Sequence, residues 1–264
     1  MAPSGKEPVC MRRMYEIAAN TFLETVRNNV LYLVLLFVIA LIVLSVFVAD
    51  WSVFARVQVM QDFGLATMSI AGLLLAVFIG VGLLGREVSQ KTVYHVITKP
   101  VSRSQFVCGK FFGLFATLVC TFAVMTVFFL ATVHFLGGAV NRQMLLAIVL
   151  IWVELSVMIS AAVLFSTLTS AVLASIYSLA FYIAGHLNDL LSLKLVEQKG
   201  SLYPLLLKMI YFLLPNLEHF NVRDNVVYGI ALPPSYFAYA IAYGLLYTAF
   251  FLMLSCVLFS KKDL

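Results

Sequence analysis

The sequence predicts an all-α integral membrane protein with six transmembrane helices, an N-terminal amphipathic interfacial helix, and short outer-side re-entrant or interfacial helices before the last span. Three observations carry this expectation. Of the 264 residues, 63% are hydrophobic and 11% charged, proportions far from those of a soluble domain. The apolar residues fall in blocks of about 20 or more, the length that crosses the hydrocarbon as a helix, where every backbone group must be satisfied within the segment. Positive charge is shared unevenly between the two sets of connecting segments.

Taken in order, residues 1–10 read as a flexible tail. Over residues 11–28, Met11, Met14, Ala18, Phe22 and Val26 recur every three to four positions, while Arg12, Arg13, Glu16, Asn20, Glu24 and Arg27 take other faces. That pattern describes an amphipathic helix on the membrane surface. Spans are expected over 30–49, 65–84, 111–136, 144–168, 171–187 and 236–259, so that one transmembrane domain uses residues 1–264. The first span is too long for a leader's apolar core and is read as retained. Gly72, Ala76 and Gly80 in the second span, and Ser170, Ala174 and Ser178 by the fifth, form rows that permit close helix contact, within one subunit or between two.

With both termini inside, the cytoplasmic segments hold Lys6, Arg12, Arg13, Arg27, Arg86, Lys91, Lys99, Arg103, Lys110, Lys261 and Lys262. The outer segments hold Arg56, Arg142, Lys194, Lys199, Lys208 and Arg223, four of them in one long loop, where charge counts less. The net charge of +5 is therefore a topology signal, and no nucleic-acid partner is expected. The placement is a multi-pass protein of the cytoplasmic (inner) membrane with both termini cytoplasmic.

Catalytic motifs are missing. The one Gly-Lys pair, Gly109-Lys110, is followed by Phe111 and so is no phosphate loop, and neither H-E-x-x-H nor G-x-S-x-G occurs. The four cysteines form no C-x-x-C pair. His134, His186 and His219 fall near helix ends without a second histidine beside them; they read as interfacial hydrogen-bonders, and no metal site is assigned.

The segment 85–110 is too polar to span. Residues 86–97 suit a short helix on which Val93, Tyr94 and Ile97 lie together, Pro100 turns the chain, and Ser102 with Gln105 forms a capping box that starts the next helix. A small cytoplasmic knob with apolar and basic residues results.

Several short motifs resemble the permease subunits of type II ABC exporters (ABC-2 type), particularly the branch associated with multicopper enzyme maturation. They are Gln61-Asp62-Phe63-Gly64-Leu65-Ala66, Gly85-Arg86-Glu87 with Lys91-Thr92, Lys99-Pro100-Val101-Ser102-Arg103, and Gly109-Lys110-Phe111. Gly185-His186-Leu187 and Pro215-Asn216-Leu217-Glu218 with Phe220-Asn221 continue the likeness, which runs across nearly the whole chain. The resemblance implies a permease homodimer with two ATPase subunits, ATP and Mg being held by the ATPase and no cofactor by this chain. Membrane lipids and outer-side accessory proteins are further implied contacts. The knob would couple to the ATPase through Arg86, Glu87, Lys91, Val93, Tyr94, Ile97, Lys99 and Arg103. A membrane-embedded enzyme or a structural scaffold of an envelope assembly is the alternative.

Two features remain open in the sequence. Glu154 lies mid-span, where a carboxylate costs about 2.5–3.5 kcal/mol, so it should face protein or water. It suits a translocation path or proton site, and equally a hydrogen-bonded packing lock. In 188–235, the apolar stretch 202–214 is too short to cross, as expected of a re-entrant or interfacial helical pair on the outer side, either a gate or a cap.

Overall fold

A computed structural model describes residues 7–27, 29–50, 55–89, 103–187 and 214–261. Within these, the chain is helical throughout: α1 (Glu7–Val26), α2 (Asn29–Asp50), α3 (Arg56–Ser89), α4 (Arg103–Phe135), α5 (Arg142–Leu168), α6 (Ala171–His186), a 3-10 turn (Leu217–Phe220), α7 (Arg223–Val227) and α8 (Pro234–Lys261). Among the described residues, four helices are long and apolar enough to cross a membrane: Arg56–Val81, Ser104–Phe135, Arg142–Leu168 and Pro234–Lys261. Val34–Val48 and Ala171–His186 are shorter apolar stretches. The expectation of six full spans thus meets, among the described residues, four helices of sufficient length and two shorter apolar stretches, one of them within the 22-residue α2.

The bundle is built around α5, which packs against α3, α4, α6 and α8 and buries most of its length. Small residues allow this. A Cβ added at Gly72 would lie 2.5 Å from Leu155 Cδ1, and one at Gly80 would lie 2.8 Å from the Ala162 Cβ, so the small-residue row of α3 is spent on α5 within the same subunit. Hydroxyls in the interior turn back onto their own helices, as Thr117 does to the Gly113 carbonyl and Ser160 to Val157, while Ser156 and Thr248 also meet across α5 and α8 at 3.2 Å. The outward residues are large and apolar, among them Phe47, Val127, Ile176, Leu246 and Met253. In water such a surface would aggregate; against acyl chains it is solvated.

Turn chemistry sets the boundaries. After α4, Gly137 takes φ +75°, and the amides of Gly137 and Gly138 return to the His134 and Val133 carbonyls in a Schellman closure. Gly229 repeats the device after α7, with the Ile230 amide on the Asn225 carbonyl. Pro234 opens α8, where a missing amide hydrogen costs nothing.

Helix α1 begins at Glu7, four residues before the expected start. Pro8 is tolerated in the first turn of a helix. Its packed face also differs from the apolar stripe read from the sequence. Thr21 and Thr25 are buried, and α1 lies along the first turns of α4. Gly109 and Gly113 make room for it: a Cβ on Gly109 would lie 2.9 Å from Ile17, and one on Gly113 would lie 2.5 Å from the Ala18 carbonyl oxygen. Between them, Lys110 is buried 3.9 Å from Glu24 and over the Phe106 ring. The Gly109-Lys110-Phe111 motif is thus the seat of α1. Nearby, the thiols of Cys108 on α4 and Cys256 on α8 touch at 3.8 Å.

The segment read as the knob departs from expectation at Gly85. The helix does not restart there; α3 runs through to Ser89, because a single helical glycine costs only about 1 kcal/mol and the residues around it favour helix. Helix α4 is described from Arg103; Ser102, the expected cap, lies outside the described residues.

Candidate functional site

Helix α6 has 16 residues, about 24 Å, and stops short of a full crossing. Its last residue, His186, comes level with Glu154, each lying about 21–23 Å from the turn at Thr169 and Ser170 that joins α5 to α6. Residues 214–222 enter beside that end. Leu217 and Phe220 are 0% and 1% exposed, and Gly185 makes the close approach possible, since a Cβ there would lie 2.6 Å from the Leu217 side chain. Phe220 lies against Gly244 and Tyr243 of α8. The amide of Asn216 donates to the Tyr243 hydroxyl at 2.8 Å, its side chain caps the 3-10 turn by accepting from the Glu218 amide, and the Tyr236 hydroxyl donates to the His219 carbonyl.

This insertion completes a polar cluster inside an apolar bundle. His186 Nε2 is 3.0 Å from Glu154 Oε1, and His186 Nδ1 is 2.9 Å from Glu218 Oε2. Asn221 Nδ2 donates to the other Glu218 oxygen at 2.7 Å. Glu154 is 2% exposed, so its carboxylate faces protein, as the cost of a central charge requires. The hydrogen bond from His186 holds the Glu218 carboxyl below the ordinary carboxylate range; burial opposes this, and Asn221 assists. The stabilisation so gained is present above the ordinary carboxylate pKa and is lost as pH falls through the lowered one.

The cluster lines a cavity of about 430 Å³. Leu65, Ile70, Ile151, Ile183 and Phe220 supply apolar wall, and Ser69, Tyr182 and Asn221 add hydrogen-bonding groups. At its rim, Arg223 Nε lies 2.7 Å from Asp62 Oδ1, an ion pair joining α7 to α3 without the alignment of a full hydrogen bond. With both partners more than a third exposed, this pair adds at most about 1 kcal/mol. A few convergent polar groups in an apolar hollow of this size is the form of a small-molecule site.

The structure brings Glu154 into this site. Of the expected coupling residues, the described ones lie elsewhere: Arg86 and Glu87 are on the last turns of α3, about 25 Å along the axis from Ser69, and Arg103 opens α4. Lys91, Val93, Tyr94, Ile97 and Lys99 lie outside the described residues, as do residues 188–213 with the apolar stretch that leads to Leu214. The reading of His186 as a lone interfacial histidine is corrected. It is the centre of the cluster, which the sequence hides because each of its partners is 32 residues away. The signal that could have found it lies in three separate motifs, 61–66, 185–187 and 215–221, all of which meet at this cavity.

The family profile described as ABC-2 family transporter protein matches residues 15–264. No curated protein matches the chain at a significant level. The match takes in α2 through α8 and most of α1, the cavity included. This membrane-embedded, multi-pass chain belongs to the ABC-2 transporter family.

Proposed function

We propose that the chain is the permease subunit of an ATP-driven exporter, of the branch associated with multicopper enzyme maturation. It works as a homodimer with two copies of a separate ATPase and crosses the inner membrane six times, with both termini cytoplasmic. The observation that carries the reading is a transporter-family match over residues 15–264 in a chain with no phosphate loop. Transport powered by ATP then needs hydrolysis in another subunit, which supplies ATP and Mg chemistry. The two short apolar helices support six crossings: α2 continues beyond its most apolar stretch, and α6 is prolonged by its contact with 214–222. In this orientation the Glu154 cavity belongs to the outer half and lies on the translocation path, with the knob at the opposite end of the bundle.

Purification in mild detergent should bring down an ATPase of ordinary ABC size, while the isolated chain turns over no nucleotide. Nucleotide turnover by the pure subunit, or a preparation that transports without any ATPase, would refute the assignment.

The knob is the expected ATPase contact, with Val93, Tyr94 and Ile97 in an apolar recess and Arg86, Glu87, Lys91, Lys99 and Arg103 around it. Buried aromatic anchors carry about 2 kcal/mol or more of interface energy, and rim charges carry less. Tyr94→Ala should therefore weaken ATPase copurification at least about tenfold more than Lys99→Ala does, leaving the membrane fold intact. Equal retention of the ATPase by both variants would remove the knob from the coupling role.

A further inference from the structure

Residues 214–222 are held in the bundle by apolar contacts, by neutral hydrogen bonds to Tyr243 and Tyr236 of α8, and by one tie that depends on ionisation. Leu217 against Gly185 and Phe220 against Gly244 are apolar and indifferent to pH. The charged tie from Glu218 depends on His186, whose second nitrogen is engaged by Glu154. A ring nitrogen donates only when it carries a proton, and both can donate together only when the ring carries two. Other groups around the ring are already engaged. Tyr182 of α6 stands edge-on with its centroid 4.4 Å away; at the rim, Asp62 of α3 and Arg223 of α7 hold each other; Tyr243 of α8 accepts from Asn216. Among the described residues, His186 is the basic side chain that both cluster carboxylates touch.

We infer that Glu154, His186 and Glu218 form a proton-binding clasp, whose doubly protonated ring holds residues 214–222 against the cavity and whose loss of one proton releases them. When that proton passes to cavity water, one ring nitrogen presents a lone pair to a carboxylate oxygen about 3 Å away, and attraction becomes repulsion. The two ends of the clasp respond differently. Glu154 is fixed in the middle of α5 and buried, whereas Glu218 is about a third exposed and sits on a four-residue turn, so the turn is the part that moves. Glu218, Phe220, Asn221 and Val222 form one wall of the cavity, and their departure opens it. The clasp rests on the permease reading only for its use in transport; as a property of this chain it can be tested with neither ATPase nor cargo.

Backbone hydrogen exchange of the full chain in lipid nanodiscs, corrected for the intrinsic pH dependence of exchange, measures seating directly. From about pH 6 to about pH 9, protection of residues 215–222 should fall about tenfold while that of residues 155–165 in α5 stays constant. In Glu218→Gln, whose amide oxygen accepts from the ring without a charge, the fall should shrink to less than about twofold. Glu154→Gln, assayed in parallel, should show the same flattening. A flat profile in the unaltered chain, or an undiminished fall in both variants, would overturn the clasp. Failure to find an ATPase partner would leave this measurement untouched, so the two readings fail separately.

Discussion

His186→Ala is expected to destabilise the bundle by about 3–5 kcal/mol, the cost of leaving a buried charge without its partner. The loss comes from the Glu154 side. That carboxylate is 2% exposed, so water cannot replace the imidazole 3.0 Å away, whereas Glu218 is exposed enough to hydrate once released. Reversible unfolding in mixed micelles measures the effect, with His134→Ala as the control: His134 is exposed on the last turn of α4, and its removal should matter by no more than about 0.5 kcal/mol. Adding Glu154→Gln to His186→Ala should return a large part of the loss, because the orphaned charge is then gone. If the double variant is as unstable as the sum of its parts, the cluster is not an interacting unit.

Gly113→Leu should detach α1 from the bundle. The new Cβ would lie 2.5 Å from the Ala18 carbonyl oxygen and 2.6 Å from the Thr21 Cβ; the first is backbone and cannot rotate aside. Overpacking of this kind costs about 3 kcal/mol. Since α1 packs chiefly on α4, the strain is relieved by undocking the helix and not by distorting the core. Limited trypsin digestion should then cut rapidly within α1 or at its end, at Arg12, Arg13 or Arg27, while the melting of the remaining helices changes little. An unaltered digestion pattern would show that the seat has room the geometry denies.

The two sites differ in how far sequence could reveal them. Apolar block length locates α2 to α6 and α8 to within a few residues at most ends, because hydrocarbon thickness imposes length directly. The upstream start of α3, at Arg56, was hidden by the polar Gln58, Gln61 and Asp62, which read as loop; their helix is stabilised by packing near the α7 rim. For α1 the element was legible but its packed face was not. The hydrophobic stripe marks what would suit a membrane surface, whereas the face used is chosen by the absence of side chains at Gly109 and Gly113 on another helix. Glu154 announced itself as a cost without a partner. Its partner lies across a tertiary contact, and no local pattern encodes which imidazole meets which carboxylate. The motif resemblance marked Gly185-His186 and Asn216-Leu217-Glu218 separately; their meeting is a property of the folded chain.

The shortness of α6 has a consequence for the surrounding lipid. Its outward side chains Val172, Ile176, Leu179 and Ile183 present an apolar belt of about 24 Å, whereas neighbouring α5 spans about 40 Å. Among the described residues the apolar belt along α6 is therefore shorter than that along α5, and where lipid meets it directly the bilayer must thin or admit headgroups and water towards the level of His186. Such a shortfall lets protons reach a deeply placed imidazole without a channel through the bundle. It also makes membrane thickness a determinant of how wet the site is, so that thin, loosely packed bilayers would hydrate it and thick, sterol-like ones would seal it.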